Sequence, residues 1–391
     1  MSKHWIRAAL SSRAGGLTAA AATLAALAIA VCGASSASGA SATATTASSM
    51  APLKVAFLYE NATNDLGWDT AMYEGQQGVE AKFGNKIQVT DKVVPDGPED
   101  VTAVTSLVAE GYKLIFLTAF NQQLYVNPAK FPGVHIVQAE YVGILDKTMP
   151  SNTSTYFTVD ADGFYLAGMA AASVTKTGQV GIICGEPISD NLAESNGFAL
   201  GAQAVNPAIK VRFTCTNNWD SVSIAQNAAS GLINAGAGAI AFLTTGAGPG
   251  QVAAQKGVPW IGYQTQQKAV GANSYLAGVL WNLKPLFLKD TEQALTGTWK
   301  SHTDYVSMPE GTVSFDESGA LWKDVPAKVK AEIAAKQKVF ASGKESPFAG
   351  PLYAQSGKLI SKTGYQLDSS EVTDMNFLVK GVIGTIPKSS S

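Results

Sequence analysis

Short apolar runs of four to seven residues alternate with longer stretches of helical periodicity through most of this chain. The runs predict strands at Val55–Tyr59, Ile87–Val93, Leu114–Leu117, His135–Ala139, Val180–Cys184, Lys210–Cys215, Ala239–Leu243 and Trp260–Tyr263. Between them, the periodicity predicts helices at Asp69–Phe83, Pro98–Glu110, Phe164–Val174, Asn191–Val205, Ser221–Ala235 and Pro249–Lys256. Strands apolar on both faces that alternate with helices belong to parallel sheets built from βαβ units. The alternation runs twice, once over about 53–160 and again from the helix at Phe164. Two similar α/β lobes are therefore expected, rather than one long sheet. A further apolar run, Leu276–Trp281, precedes a helix over Pro285–Thr298. After Ser301 the chain is richer in Gly, Pro and turns, with one helix at Pro326–Ser342; this tail is expected to cross between the lobes and wrap the second. The division expected is 51–160 plus about 268–305 for the first lobe, and 161–267 plus about 306–391 for the second.

In open α/β sheets, ligands bind at the carboxyl ends of the strands. There the first lobe carries a polar loop, Glu60–Gly67, that delivers Trp68 to the start of a helix. Trp68 either packs under that loop or stacks on a ligand. In the second lobe Phe198 lies about two turns into the first helix after the lobe's opening strand, flanked by Gly197 and Gly201. Glycine inside a helix costs about 0.5–1 kcal/mol relative to alanine, so something approaches closely there, a neighbouring helix or a ligand. Phe198 is accordingly a core residue or a second plate. Two aromatics facing across a cleft would suit a flat heterocycle, and a cleft between hinged lobes can close on it.

The first 50 residues stand apart. Lys3, Arg7 and Arg13 precede an uncharged Ala-rich stretch, and small residues follow, the order of a secretory signal. Cys32 is a candidate for lipidation, with ordinary cleavage near Ala37 or Ala40 as the alternative; 35–49 reads as a Ser/Ala/Thr linker. What remains, roughly 345 residues, is enough for two cores. The net charge is −2 and no basic patch appears, which disfavours nucleic acid. Cys184 and Cys215 end successive strands. A disulfide is open to them outside the cytoplasm, and two buried thiols are the alternative. A metal site is not expected, because two Cys and three His show no ligand spacing.

Catalytic signatures are missing as well. There is no GxxxxGK[ST], no GxSxG, and no GxGxxG after a strand in a βαβ unit. The Gly246–Gly250 run follows a strand, but Pro249 removes a backbone donor and no Lys follows at the needed spacing. His135 lies in an apolar strand and His302 in a polar loop, so neither builds a triad. No catalytic residue and no cofactor are expected.

Several stretches together carry a family likeness: DLGW at Asp65–Trp68, GYKLIFLTAF at Gly111–Phe120, FYLAGMAA at Phe164–Ala171, GFALGAQAVNP at Gly197–Pro207, NNWD at Asn217–Asp220 and WIGYQTQ at Trp260–Gln266. GTWKS at Gly297–Ser301, PFAGP at Pro347–Pro351 and VKGVIGTIP at Val379–Pro387 extend it to nearly the whole chain after residue 52. These residues resemble the basic-membrane-protein family of ABC-transporter substrate-binding proteins, whose members include purine-nucleoside receptor lipoproteins. The resemblance implies a type I periplasmic-binding-protein fold, two Rossmann-like lobes with parallel sheets joined by a three-strand hinge. It implies a purine held between Trp68 and Phe198, beside Phe120, with Asn64, Asp65 and Asn121 reading the base edge. Nucleoside-binding members hold the ribose with an Asp and a Lys; the corresponding positions here are Gln266 and Trp281. That departure turns the expectation from a nucleoside to a free base such as adenine, the alternative being that Trp281 is simply a core residue facing away from the cleft. The implied protein is an exported monomer, periplasmic or anchored by a lipid on Cys32, that hands its ligand to a membrane ABC permease. A sensory module without transport and a nucleoside-cleaving enzyme are the competing classes, the latter lacking any activated acid–base pair in the sequence.

Overall fold

The computed structural model describes residues 51–95, 97–141 and 148–387. The expected secretory signal and the expected lipidation site at Cys32 lie outside the described residues. In the first lobe, β1 (Leu53–Tyr59), α1 (Trp68–Phe83), β2 (Ile87–Val93), α2 (Glu99–Ala109), β3 (Leu114–Leu117), β4 (His135–Ala139) and β5 (Thr153–Thr158) follow in order. The second lobe continues with α3 (Ala161–Val174), β6 (Gln179–Cys184), α4 (Ser189–Val205), β7 (Lys210–Cys215), α5 (Val222–Asn234), β8 (Ile240–Leu243), α6 (Gly248–Gln255), β9 (Trp260–Gln264) and β10 (Tyr275–Trp281). After these come α7 (Lys284–Thr296), β11 (Thr303–Val306), β12 (Val313–Asp316), α8 (Ala327–Ala341), β13 (Leu352–Tyr353), β14 (Leu359–Ser361), α9 (Ser369–Val372) and β15 (Val382–Ile383).

The strands form two large sheets with the same winding. One has the order β11-β5-β4-β3-β1-β2, the other β12-β10-β9-β8-β6-β7-β15. Each lobe's first strand lies inside the sheet, with the second strand on one side and the third on the other. The order reverses there, so a crevice opens beyond the strand ends. Neighbours are parallel apart from β12, which runs antiparallel to β10. This is the type I periplasmic-binding-protein fold.

Sheet membership corrects one expected boundary. β10 pairs with β9 and β12 in the second sheet, so 275–281 does not join the first lobe; the chain returns there only at α7. The chain thus passes between the sheets after β5, after β10 and after β11. These passages are bonded to one another: Val159 N donates to Val306 O at 3.0 Å and Asn282 N to Thr312 O at 2.8 Å. Trp281 Nε1 adds a 2.8 Å bond to Asp160 Oδ2. β5 escaped the hydrophobic pattern because its sequence, TSTYFT, is mostly hydroxyl-bearing, although every residue in it is buried. Some of its hydroxyls find partners: Ser154 Oγ bonds Asp290 and Thr155 Oγ1 accepts from Tyr141 N, while Thr153 Oγ1 and Thr158 Oγ1 are buried without a partner among the described residues.

The second lobe is welded along a seam of small residues. A Cβ on Gly197 would lie 2.3 Å from Ala161 O, one on Gly201 1.8 Å from Tyr165 O, and one on Gly168 2.0 Å from Phe198 O. The glycines of α3 and α4 therefore let the two backbones touch, which is the close approach their helical positions called for. The tail wraps this lobe: Asn196 Nδ2 donates to Phe377 O at 2.7 Å and Asn196 Oδ1 accepts from Val379 N at 2.8 Å. Cys184 and Cys215 stand directly opposite on β6 and β7 and are joined as a disulfide.

Candidate functional site

A cleft opens between the lobes at the carboxyl ends of both sheets. Glu60, Asn61, Trp68, Asp69, Ala119, Phe120, Asn121 and Glu140 line it from the first lobe. The second lobe supplies Ile188, Asp190, Asn191, Trp219, Asp220, Leu243, Thr244, Thr245, Tyr263 and Gln264. Nearly all sit within a few residues of a strand's carboxyl end or at the start of a helix, where the winding places a binding crevice.

Trp68 is held by both its edges. Its Nε1 donates to Thr118 O at 2.7 Å, and its ring meets Trp281 edge-on with centroids 5.2 Å apart. Trp281 in turn meets Tyr263 edge-on at 5.6 Å. With its donor used on the backbone, Trp68 offers the cleft an aromatic surface rather than a hydrogen bond. Trp281 is buried behind it and does not line the cleft, so it acts as a brace and not as a wall facing a sugar.

Three other expectations are corrected. Phe198 is fully buried in the α3–α4 seam and takes no part in the cleft; the second lobe's aromatics there are Trp219 and Tyr263. Asp65 does not point at a ligand. Its Oδ1 accepts from Gly67 N and Thr70 N at 2.9 Å and from Thr70 Oγ1 at 2.7 Å, and its Oδ2 accepts from Asp69 N at 3.2 Å. These bonds satisfy free amides at the start of α1 and leave little accepting capacity over. Gln266 is exposed and turns away, donating to Asp316 Oδ2 and Ser318 Oγ at 3.2 Å; Gln264, two residues earlier, occupies the cleft instead. Asn64 is exposed outside the cleft, whereas Phe120 and Asn121 line it as expected.

The cleft is acidic. Among the described residues, Glu60, Asp69, Glu140, Asp190 and Asp220 line it, and no Lys, Arg or His does. Burial pushes Asp69 up to about 8, with the Asp65 charge adding to it. Burial likewise brings Asp190 to about 7 and raises Glu140 well above the usual carboxylate range, reinforced by the Asp190 charge. Behind the wall, Tyr263 Oη donates to Glu194 Oε1 at 2.5 Å. Asp69 Oδ1, Thr244 Oγ1 and Gln264 Oε1, all from cleft-lining residues, are buried without a hydrogen-bond partner among the described residues. Buried polar atoms are nearly always paired, and here one orphan from the first lobe faces two from the second across the same cleft.

The lobes also touch across the cleft mouth. Leu66 O accepts from Thr265 Oγ1 at 2.8 Å and from Gln267 Nε2 at 2.5 Å. Leu66 holds a left-handed φ of 60° to present that carbonyl. Beside it, a Cβ on Gly67 would lie 2.7 Å from Gly246 N. These contacts define a closed arrangement of the lobes.

The family described as ABC transporter substrate-binding protein PnrA-like matches residues 53–345. The chain belongs to this family. It is 29% identical over 342 residues to a purine-binding protein of Brucella abortus, covering 86% of this chain and 94% of that one. A nucleoside-binding ABC transporter protein of Lactococcus lactis is 26% identical over 283 residues, 71% of this chain and 75% of its own. Among solved structures, a solute-binding protein of an ABC transporter system from Conexibacter woesei superposes with a TM-score of 0.63 at 23% identity, covering 75% of this chain and 98% of that one. The PnrA-like proteins are binding proteins of transporters, not enzymes.

The residues that sequence reasoning missed share one signal. Asp69, Glu140, Asp190, Trp219, Thr244 and Gln264 each follow or end a parallel strand or open a helix, as Trp68 does. Applying the strand-end rule to every strand would have found them; applying it to one loop found only Trp68. Missing metal spacing in the sequence does not carry over to space either. Asp290, His302 and Asp304 converge in the first lobe, outside the cleft.

Proposed function

We propose that this PnrA-like protein is the extracytoplasmic receptor of an ABC importer and that it binds a free purine base carrying an exocyclic amine, as adenine does. The supporting observation is the trio of orphaned polar atoms in an aromatic-lined, cation-free cleft. Gln264 Oε1 is an acceptor that needs an N–H group, and Asp69, its carboxyl raised to about 8, donates while protonated and accepts once ionised; adenine brings both N–H groups and ring-nitrogen acceptors on one flat ring. Trp68 supplies a stacking face, with Phe120, Trp219 and Tyr263 as further aromatic walls. Base–aromatic stacking contributes about 1–3 kcal/mol per base.

Size favours the base over the nucleoside. The cleft encloses about 80 Å³, room for roughly six waters at the volume one water needs. That is the scale of one bicyclic ring in the closed arrangement. Gln266 no longer supports this choice, since it lies outside the cleft, and Trp281 supports it only as a space-filling brace. Export, with or without a lipid on Cys32, and delivery to a permease follow from the family reading.

The test is mass spectrometry of ligand released from purified protein, then calorimetry with adenine, hypoxanthine, adenosine and glucose. Micromolar or tighter adenine binding, with adenosine weaker by tenfold or more, is the expected result. Equal or tighter adenosine binding would overturn the free-base reading, and glucose binding without purine binding would overturn the purine reading.

A further inference from the structure

The outer part of the first lobe holds a cluster that the cleft does not use. Asp290 on α7, His302 just before β11 and Asp304 on β11 bring one oxygen, one ring nitrogen and one oxygen within 4.8 Å of one another. His302 Nε2 lies 3.6 Å from Asp290 Oδ2 and 3.3 Å from Asp304 Oδ2. Ligand atoms about 2.0–2.2 Å from a tetrahedral zinc stand about 3.3 Å apart.

The surroundings are those of a metal site. His302 Nδ1 is 2.8 Å from Lys300 O; a carbonyl only accepts, so Nδ1 carries the proton. Nε2 then faces two carboxylates at 3.6 and 3.3 Å, a place filled by a positive centre, either a proton on the ring or a bound cation. Nε2 is buried and makes no directed hydrogen bond. The far oxygens are already occupied. Asp290 Oδ1 accepts from Trp299 Nε1 at 2.6 Å and Ser154 Oγ at 3.0 Å, and Asp304 Oδ1 pairs with Lys289 Nζ at 2.6 Å. Backbone and side-chain partners of this kind fix the tautomer and aim metal ligands. Lys289 offsets one of the two carboxylate charges, leaving a net negative cluster for a dication.

We propose that Asp290, His302 and Asp304 bind a divalent transition-metal ion of the zinc class. Imidazole with carboxylate suits zinc and cobalt, and partial exposure of His302 and Asp304 leaves room for water to complete the coordination. The ion rivets α7 to β11, the edge strand that feeds the last passage between the lobes. Its role is structural, and binding to the folded state alone raises stability. The sequence hides the site because one ligand comes from a helix and two from alternate positions beside an edge strand.

The test uses tag-free protein stripped with chelator. Zn²⁺ is titrated by calorimetry, thermal unfolding is followed with and without Zn²⁺, and Co²⁺ is added to read visible ligand-field absorption. One equivalent binding in the micromolar range or tighter, a raised Tm and a low-symmetry Co²⁺ spectrum are expected. His302→Gln, in a half-exposed position, should lose all three while keeping its adenine affinity. No Tm rise at saturating Zn²⁺ in the wild type would overturn the proposal, leaving a protonated His302 bridging the two carboxylates. Undiminished Zn²⁺ binding by His302→Gln would overturn it too, by placing the ion elsewhere.

Discussion

Trp68 and Phe198 are both aromatics on the helix that follows the opening strand of their lobe, yet one faces the cleft and the other is sealed in the core. The difference lies in where each helix meets its neighbours. Trp68 is the first residue of α1, at the rim where β1 ends. Phe198 lies ten residues into α4, where Gly168, Gly197 and Gly201 bring two helix backbones into contact and leave no path to solvent. Strand-end position, not residue type, puts an aromatic on the cleft. The second lobe obeys the same rule through Trp219, which follows β7.

The sharpest way to break this comparison is to force the seam apart. Gly201→Ala puts a methyl 1.8 Å from a backbone oxygen, and overpacking of this kind should cost about 3 kcal/mol. Denaturant unfolding would show a lowered midpoint, and ligand affinity per folded molecule should change little. A stability equal to wild type would mean that α3 and α4 do not touch as described.

Next in size are the two aromatics themselves. Trp68→Ala should weaken adenine binding by about 5- to 150-fold, the equivalent of 1–3 kcal/mol of stacking. Phe198→Leu should lower stability by about 1–2 kcal/mol as a large-to-small core change, with the dissociation constant within twofold of wild type. Calorimetry on both variants decides. A binding loss at Phe198 matching that at Trp68 would restore the original pairing of the two as plates.

That pairing shows how far the sequence carries. Alternating apolar runs located β1 to β4 and β6 to β9 nearly to the residue, because a strand buried on both faces has nowhere to put polar groups. The same logic hid β5, whose hydroxyl-bearing residues are buried all the same, and it misassigned β10, since pairing partners are a tertiary property. In the site, Trp68 was legible from strand-end position, whereas Phe120 and Asn121 came only with the family resemblance. Asp65 and Gln266 looked like ligand groups by type, yet Asp65 is consumed by the amides of its own helix start and Gln266 by Asp316. Which polar atoms remain unpaired is decided only when the chain is folded.

The acids of the cleft and the hinge sharpen the contrast in another way, since the seam carries no such group facing a ligand. Asp69 is raised to about 8, Asp162 and Asp190 to about 7, and Asp160 to about 6, each chiefly by burial. An unfolded Asp titrates near 3.9, so between about pH 4 and 8 the native state holds more protons than the unfolded chain. Stability is then greatest below about pH 4, as far as these groups decide it, and falls as pH rises from about 4 through 8. Thermal unfolding of the ligand-free protein should show Tm dropping by several degrees across that window. Saturating adenine should flatten the slope, because N–H donors favour ionised Asp69. A Tm that rises steadily from pH 5 to 8 would contradict both the burial of these acids and the need for a donor-rich ligand.

The smallest effect belongs to the contact that joins the two lobes beside Trp68. Leu66 takes a left-handed backbone conformation that a branched side chain rarely adopts, and its carbonyl receives one donor each from Thr265 and Gln267. Gln267 also accepts from Tyr263 N at 3.1 Å, so removing it would disturb β9 as well as the contact. Thr265→Val is the cleaner probe, deleting one hydrogen bond at nearly constant shape. Its loss should cost about 1 kcal/mol of closure, read as roughly fivefold weaker adenine binding that appears as faster release with an unchanged association rate. Because the bond forms only when the lobes meet, the folded stability of each lobe should stay as it was. Slower association instead would assign Thr265 to the open state and remove Leu66 from the closing contact.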